Sequence, residues 1–164
     1  MPFDQSLYAV EFPERPIYPS VTGENDVDIA IIGGGLTGIS SALHLAENGF
    51  DVAVLEAGRL GNGGSGRNGG HVCQGWPNDF DHIRRQVSEP EAKIAWDAGM
   101  AALDLVKHRV KKYAIACDLT FGYLNAAYHK RQMDELASMQ REWEDLGYDG
   151  FTALDNAAAL SPHI

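Results

Sequence analysis

The feature that most constrains this chain is a glycine-rich turn between two patterns of regular structure. Residues 27–32 (VDIAII) form a short, apolar, β-branched run, which predicts a strand buried on both faces. Residues 33–38 (GGGLTG) follow at once, and a helix is predicted over residues 37–48, with Gly49 as its stop. Residues 51–56 (DVAVLE) predict a second buried strand. Strand, helix and strand in this order predict a βαβ unit with parallel strands and a right-handed crossover.

The glycine-rich turn fits the pattern G-x-G-x-x-G, and its position between a strand and a helix makes that pattern meaningful. Gly33 permits the tight turn, Gly35 lets a pyrophosphate approach the backbone without meeting a Cβ atom, and Gly38 lets the helix pack closely on the strand. The helix N-terminus then offers N–H groups and a partial positive charge to phosphates. The binding residues predicted on this turn are Gly33, Gly35, Leu36, Thr37 and Gly38.

An acidic residue stands at the end of the second predicted strand. Glu56 lies 18 residues after Gly38, and a carboxylate there can accept hydrogen bonds from ribose hydroxyls. It would repel a 2′-phosphate, which disfavours NADP as the ligand. The adjacent Ala57 is assigned to the same site. The alternative is a plain glycine turn with an exposed Glu at a strand end, but spacing, flanking patterns and the acid all agree on a dinucleotide site.

A second glycine-rich segment follows. Of the 18 glycines, 13 lie between Gly23 and Gly70, and residues 61–71 (GNGGSGRNGGH) hold six of them. This density suggests backbone amides folded around a ligand. Ser65 and Asn68 can form hydrogen bonds, and Arg67 can lie near phosphate or brace the loop. The alternative is a flexible surface loop.

Periodicity predicts the remaining elements. Residues 91–116 predict a long helix, residues 118–125 (DLTFGYLN) a strand, and residues 130–146 another helix. A short strand is predicted near Phe151 and a turn of helix over residues 156–160. The side of the long helix expected to be buried carries Ile94, Ala95, Ala98, Ala101, Ala102, Leu105 and Val106.

Composition excludes several classes of protein. Apolar residues make up 45% and charged residues 22%, which is ordinary globular usage and not that of a disordered chain. The net charge is −10, from 13 basic and 23 acidic residues, which argues against nucleic acid or an anionic membrane as partners. No apolar run reaches the roughly 20 residues of a membrane span. The basic cluster Lys107, Arg109, Lys111 and Lys112 is interpreted as a solvated helix face.

Cysteine and histidine usage adds two expectations. Cys73 and Cys117 do not make a disulfide framework, and with no secretory signal at the start this predicts a cytoplasmic protein. Cys73 is expected to be a small buried residue and Trp76 a core residue. No metal site is predicted, because no metal-ligand spacing connects His71, His82, His108, His129 and His163. His44, on the first predicted helix, is expected to be partly exposed and not functional.

The two glycine-rich segments together resemble a known family. VDIAIIGGGLTGISSALHLAENGFDVAVLEAG followed by GSGRNGGHV is similar to the N-terminus of the D-amino-acid oxidase-like FAD-dependent oxidoreductases, and most similar to their γ-glutamylputrescine oxidase branch. The resemblance is strong over residues 27–72 and weaker to the end of the chain. It implies that the first turn holds the FAD pyrophosphate, Glu56 the adenosine ribose, and residues 65–70 (SGRNGG) the ribityl chain and flavin. His71 stands where this branch has Gln. The residues so implied in the second segment are Gly64, Ser65, Arg67, Asn68, Gly69, Gly70 and His71.

The resemblance also implies a fold and an organisation. The expected class is α/β: a Rossmann-like FAD-binding βαβ unit and the beginning of a second, substrate-binding α+β domain, with an incomplete sheet. We expect an extended N-terminal arm over residues 1–25, the FAD-binding part over 26–117, and a truncated start of the substrate domain over 118–164. Family members are more than twice as long, so the chain is expected to be a fragment or truncation that exposes apolar surface and self-associates.

The implied activity is oxidation of an amine or amino acid by hydride transfer to flavin, with a small-molecule substrate. Catalytic side chains would come from later sequence, so none is assigned. Two alternatives stay open. One is a non-catalytic dinucleotide-binding fragment or pseudo-enzyme, which a flavin absorbance spectrum would distinguish. The other is an NAD-dependent dehydrogenase, which has no need of the second glycine-rich segment.

Overall fold

The computed structural model describes residues 6–74, 76 and 80–154. The chain divides into two compact units, Met1–His71 and Val72–Ile164. Within the described ranges, no helix is both long and apolar enough to cross a membrane.

The first unit begins with a short helix, α1 (Leu7–Glu11), where the sequence predicted only an extended arm. The helix forms because Ser6 caps its N-terminus: the Ser6 Oγ accepts a hydrogen bond from the Ala9 N–H at 3.3 Å. The expectation of no regular element in this arm is therefore wrong at these five residues, and an irregular segment follows them.

A βαβ unit follows, as predicted. It consists of β1 (Ile29–Ile32), α2 (Leu36–Glu47) and β2 (Val52–Leu55), and the two strands pair in parallel with Ile29 opposite Val52. The carboxylate of Asp28 accepts a hydrogen bond from the Asp51 N–H at 2.8 Å and so joins the starts of the two strands. Gly49, with a φ of +88°, follows the helix and supplies the left-handed conformation expected of its stop.

The prediction that β1 is buried on both faces is wrong. Along the strand, Ile29 and Ile31 are partly buried, whereas Ala30 and Ile32 are exposed, with Ile32 80% exposed. The alternation has a simple cause. The sheet has two strands in the described residues, and α2 packs against it at Ile31, so the side chains that alternate to the opposite face have no such cover.

The described residues of the second unit form helices and irregular segments, with no strand among them. It contains α3 (Phe80–Arg84), which the sequence did not predict, α4 (Glu89–Lys112) and α5 (Lys130–Asp145). A capping box begins α4: the Glu91 carboxylate accepts hydrogen bonds from both the backbone N–H and the hydroxyl of Ser88. The Ser88 hydroxyl and then its N–H hold the pKa of Glu91 below its usual value.

Aromatic rings form the core of the second unit and decide which side of α4 is buried. The Trp96 ring packs edge-on against Phe80 and Trp143, with centroids 5.4 and 5.2 Å apart. The predicted side is wrong for most of its residues: Ile94 is 68% exposed. Ala98, Ala101, Ala102 and Leu105 are exposed as well, whereas Ala95 and Val106 are partly buried. Arg109 shares the buried side with 9% exposure, so it is no part of a solvated basic face. Buried or partly buried positions at helical spacing on this side are Ala92, Trp96, Leu103, Val106 and Val110.

The strand predicted over residues 118–125 does not form. Asp118 and Gly122 have φ values of +49° and +88°, which interrupt an extended run, and no neighbouring strand pairs with it among the described residues. Phe151 lies in an irregular stretch rather than a strand, and the turn predicted over residues 156–160 lies outside the described residues. Cys73 and Trp76 are exposed, not buried.

Candidate dinucleotide-binding site

The glycine-rich turn joins the end of β1 to the start of α2, and its backbone geometry requires glycine. Gly33 adopts a φ of +102°, and its N–H donates to the Leu55 carbonyl of β2 at 2.8 Å. A Cβ atom at Gly38 would collide with the Gly33 carbonyl oxygen. Gly38 therefore permits α2 to begin directly against the turn. The same Cβ position is 3.4 Å from the Ile31 Cγ2 of β1, the strand on which the helix was predicted to pack closely.

The first turn of α2 presents backbone N–H groups at the glycine-rich turn. The first intrahelical bond runs from the Ile39 N–H to the Gly35 carbonyl at 3.0 Å, so the N–H groups of Thr37 and Gly38 precede it and lack an intrahelical acceptor. A Cβ atom at Gly35 would meet only the Ser65 hydroxyl, at 3.1 Å. Phosphate oxygens fit such a place, because the backbone is uncovered and the helix dipole favours negative charge.

Glu56 follows β2 directly and faces the same turn. Its Oε2 accepts a hydrogen bond from the Gly34 N–H at 2.7 Å, and its Oε1 accepts one from the Gly58 N–H at 2.9 Å. Hydrogen bonds from Gly34 and then Gly58 hold the pKa of Glu56 below its usual value. The ionised carboxylate keeps unused lone pairs on both oxygens, so it can accept further hydrogen bonds from sugar hydroxyls.

The second glycine-rich segment meets the first at Ser65. The Ser65 Oγ accepts a hydrogen bond from the Leu36 N–H at 2.8 Å, and thus caps α2 from 29 residues further along the chain. The Gly61 N–H also donates to the Gly34 carbonyl, at 2.9 Å. These two bonds bring the segment to the N-terminal end of the helix, as a shared ligand site would require.

Asn68 organises the second segment internally. Its Nδ2 donates to the carbonyls of Gly64 and Ser65, and its Oδ1 accepts from the Gly70 N–H at 2.8 Å. The Asn68 amide therefore braces the loop around a turn of 3-10 helix at Gly64–Gly66. The other predicted site residues of this region are exposed, namely Ala57, Gly64, Arg67, Gly69, Gly70 and His71.

Two residues of this site escaped the sequence analysis. Gly34 is buried, and a Cβ there would collide with the Leu60 side chain and lie 3.2 Å from the Glu56 Cβ; the run of three glycines was the available signal. Tyr8 donates a hydrogen bond from its hydroxyl to the Asn68 carbonyl at 3.2 Å, across 60 residues, and no local pattern predicts such a contact.

Known proteins have similar sequences over most of this chain. A family model described as FAD dependent oxidoreductase matches residues 28–163. The chain belongs to that family. The family is described as FAD-dependent. No solved structure gives a significant match to the chain.

Two curated relatives are similar to most of this chain. The gamma-glutamylputrescine oxidoreductase of Escherichia coli is 36% identical over 150 residues, which is 92% of this chain and 35% of that protein. A Haemophilus influenzae protein named "Probable oxidoreductase OrdL" is 37% identical over 148 residues, which is 90% of this chain and 34% of that protein. The chain thus spans about a third of the length of these relatives.

Among residues 6–74, 76 and 80–154, no three His, Cys, Asp or Glu side chains converge in a way that could hold a metal ion.

Replacing Glu56 with Gln tests the contact to the ribose. The variant keeps the shape of the side chain but removes its charge, so FAD affinity is expected to fall by about tenfold, the value of a charge-assisted hydrogen bond. FMN lacks the adenosine ribose, so its affinity should fall much less. Fluorescence titration of both flavins measures the difference, and equal losses for the two would show that Glu56 does not touch the ribose.

Acid should weaken the first unit through Glu56. The backbone N–H groups of Gly34 and Gly58 favour the carboxylate, so its pKa is lower in the folded chain than in the unfolded chain. The resulting stabilisation is complete above the ordinary glutamate pKa of about 4.3 and is lost as the pH falls through the folded value. Urea unfolding between about pH 7 and pH 3 should show a smaller acid loss for Glu56→Gln than for wild type. Parallel pH profiles would contradict this role.

Proposed function

We propose that the two glycine-rich segments form one FAD site and that the protein oxidises a small amine or amino acid. Three findings support this. The family is FAD-dependent. A relative that is 36% identical is named for gamma-glutamylputrescine. The residues that would meet the cofactor adjoin one another in the first unit. A γ-glutamylputrescine-like amine is the substrate class that we propose.

One observation carries the proposal: the Ser65 Oγ accepts a hydrogen bond from the Leu36 N–H at 2.8 Å. A nucleotide turn alone has no need of a second loop at that place. The bond holds Ser65, the first residue of the 65–70 loop, at the end of the helix where the pyrophosphate of a dinucleotide would lie. A ligand that leaves the turn in this direction would meet the second segment next, which suits FAD better than NAD.

Each group of the chain has a distinct task in this proposal. The bare backbone at Gly35 leaves room for the pyrophosphate, and the N–H groups of Thr37 and Gly38 donate to its oxygens. The Glu56 carboxylate accepts hydrogen bonds from the ribose hydroxyls of the adenosine half. The loop of residues 65–70, braced by Asn68, supports the ribityl chain and the flavin.

The cofactor supplies the two-electron oxidation of the carbon–nitrogen bond, giving an imine that water hydrolyses, while oxygen or another acceptor takes up the electrons. The protein fixes the position of the cofactor and so decides which bond lies near it. The residues described above hold the adenosine, the pyrophosphate and the ribityl chain.

The same proposal includes an organisation of the chain. The βαβ unit would be part of a Rossmann-like FAD-binding region over residues 26–117, and residues 118–164 would open an α+β substrate-binding domain. Exposed apolar side chains such as Ile32 and Leu36, 80% and 73% exposed, would promote self-association. The two exposed thiols, Cys73 and Cys117, would suit the reducing cytoplasm.

The test is to add FAD to the purified chain and remove excess flavin by size-exclusion chromatography, which also reports self-association. The substrate is tested on a longer protein that contains this sequence, because the chain spans about a third of its relatives' length and catalytic side chains are expected from later sequence. Its bound flavin is mixed anaerobically with γ-glutamylputrescine, with glutamate as a control that lacks the putrescine chain. Bleaching of the visible flavin absorption band by the first compound alone would support the proposed substrate class. Retained flavin that neither compound bleaches would contradict it.

A further inference from the structure

The N-terminal helix contacts the second glycine-rich segment through one side chain. Tyr8, in α1, donates a hydrogen bond from its hydroxyl to the Asn68 carbonyl at 3.2 Å. The helix has one side against the protein, because Ala9 is 5% exposed whereas Leu7 and Val10 are 67% and 65% exposed. Because α1 is capped and has a buried side, it fixes the position of the Tyr8 phenol relative to the second glycine-rich segment.

The Tyr8 hydroxyl also lies close to the backbone of the same loop at a second point. A Cβ atom built on Gly70 would stand 2.7 Å from the Tyr8 Oη, closer than side chains pack. Gly70 has a φ of +70°, and its N–H is held by the Asn68 Oδ1 at 2.8 Å. The phenol therefore fits against a loop backbone whose shape depends on glycine at this position.

A continuous chain of hydrogen bonds then leads from α1 to the glycine-rich turn. Tyr8 binds the carbonyl of Asn68, the Asn68 amide binds the carbonyl of Ser65 at 2.9 Å, and the Ser65 hydroxyl binds the Leu36 N–H at 2.8 Å. Tyr8 stands at the end of this series that contacts the loop, and the cap of α2 stands at the other end, held directly by the Ser65 hydroxyl.

We propose that Tyr8 is a positioning residue of the cofactor site, which holds residues 65–70 in the conformation that receives the ribityl and flavin part of FAD. This inference rests on the proposed function. Tyr8 acts through Asn68 and Gly70, so it should affect the flavin half of the ligand and not the adenosine half at the glycine-rich turn.

The experiment compares Tyr8→Phe with the wild-type chain and with Tyr18→Phe, a control in the same N-terminal arm whose ring is 65% exposed. Tyr8→Phe should lower FAD affinity about threefold to tenfold, as expected for one lost hydrogen bond, and leave ADP affinity unchanged. The absorbance spectrum of bound FAD should shift with Tyr8→Phe and not with Tyr18→Phe. Unchanged FAD affinity, or equal losses for FAD and ADP, would overturn the proposal.

Amide hydrogen exchange gives a readout without any ligand. In the ligand-free chain, Tyr8→Phe should speed exchange at Gly70 while leaving β1 and β2 as in wild type. Exchange that is unchanged at Gly70, or faster throughout the first unit, would overturn the positioning role. A wild-type chain that fails to bind FAD would contradict the proposed function. The comparison of hydrogen exchange at Gly70 between Tyr8→Phe and wild type tests the positioning role of Tyr8 independently, because it needs no ligand.

Discussion

Gly35→Val should abolish FAD binding while the chain keeps its secondary structure. The Gly35 backbone is extended, with φ −81° and ψ −176°, so a β-branched residue fits the conformation itself. Its Cβ would stand 3.1 Å from the Ser65 hydroxyl, and the two methyl groups would fill the space beside the N–H groups of α2. Pyrophosphate could then no longer reach the backbone, because it needs that space.

Loss of the pyrophosphate contacts removes several charge-assisted hydrogen bonds together, each worth about 1.5–3 kcal/mol. We therefore expect a loss of affinity of a hundredfold or more, on the order of two such bonds. Fluorescence titration and far-ultraviolet circular dichroism measure binding and fold on one sample. Ala46→Val, at an exposed position of the same helix, is the matched control and should bind FAD normally. FAD affinity unchanged in Gly35→Val would refute the site.

Gly38→Ala should lower the stability of the first unit, whereas Gly35→Val is expected to affect ligand binding. Helix propensity alone predicts a gain of about 1 kcal/mol, because alanine replaces glycine within a helix. The added Cβ, however, would collide with the Gly33 carbonyl oxygen, which is backbone and cannot rotate away as a side chain could. Overpacking of this kind costs about 1–3 kcal/mol or more, so the collision outweighs the propensity.

The measurement for Gly38→Ala is urea unfolding followed by circular dichroism. The midpoint should fall relative to wild type, whereas Gly63→Ala should leave it nearly unchanged, because a Cβ at Gly63 meets nothing within 4 Å. A midpoint that rises in Gly38→Ala would mean that α2 does not pack against the turn as described. Gly35→Val therefore tests the space that a ligand needs, whereas Gly38→Ala tests the packing of α2 on the turn.

The βαβ unit was predictable because its signals are local. The apolar run, the glycines and the helical periodicity lie next to one another in sequence, and the structure places β1, α2 and β2 there within two residues. The contact of Tyr8 with Asn68 depends instead on how α1 folds back, 60 residues away in sequence. Local periodicity carries no information on such a contact.

The errors in the second unit have physical causes as well. An apolar alternation at residues 118–125 predicts a strand only if a partner supplies hydrogen bonds, and Gly122 at a φ of +88° breaks the run. The buried side of α4 was assigned from small apolar residues, but Trp96 and its contacts with Phe80 and Trp143 determine it. Large rings bury more area than alanines and so set the orientation of a helix.

In the proposed function, the glycine-rich turn and residues 65–70 form one site for FAD. Isothermal titration of the chain with FAD tests it most directly, with ADP and FMN as ligands that each carry part of the molecule. We expect one FAD per chain, bound more tightly than either part, because in the proposed site the turn would hold the adenosine diphosphate half and the loop the flavin half. FAD binding no tighter than ADP binding would contradict the claim, because residues 65–70 would then contribute nothing.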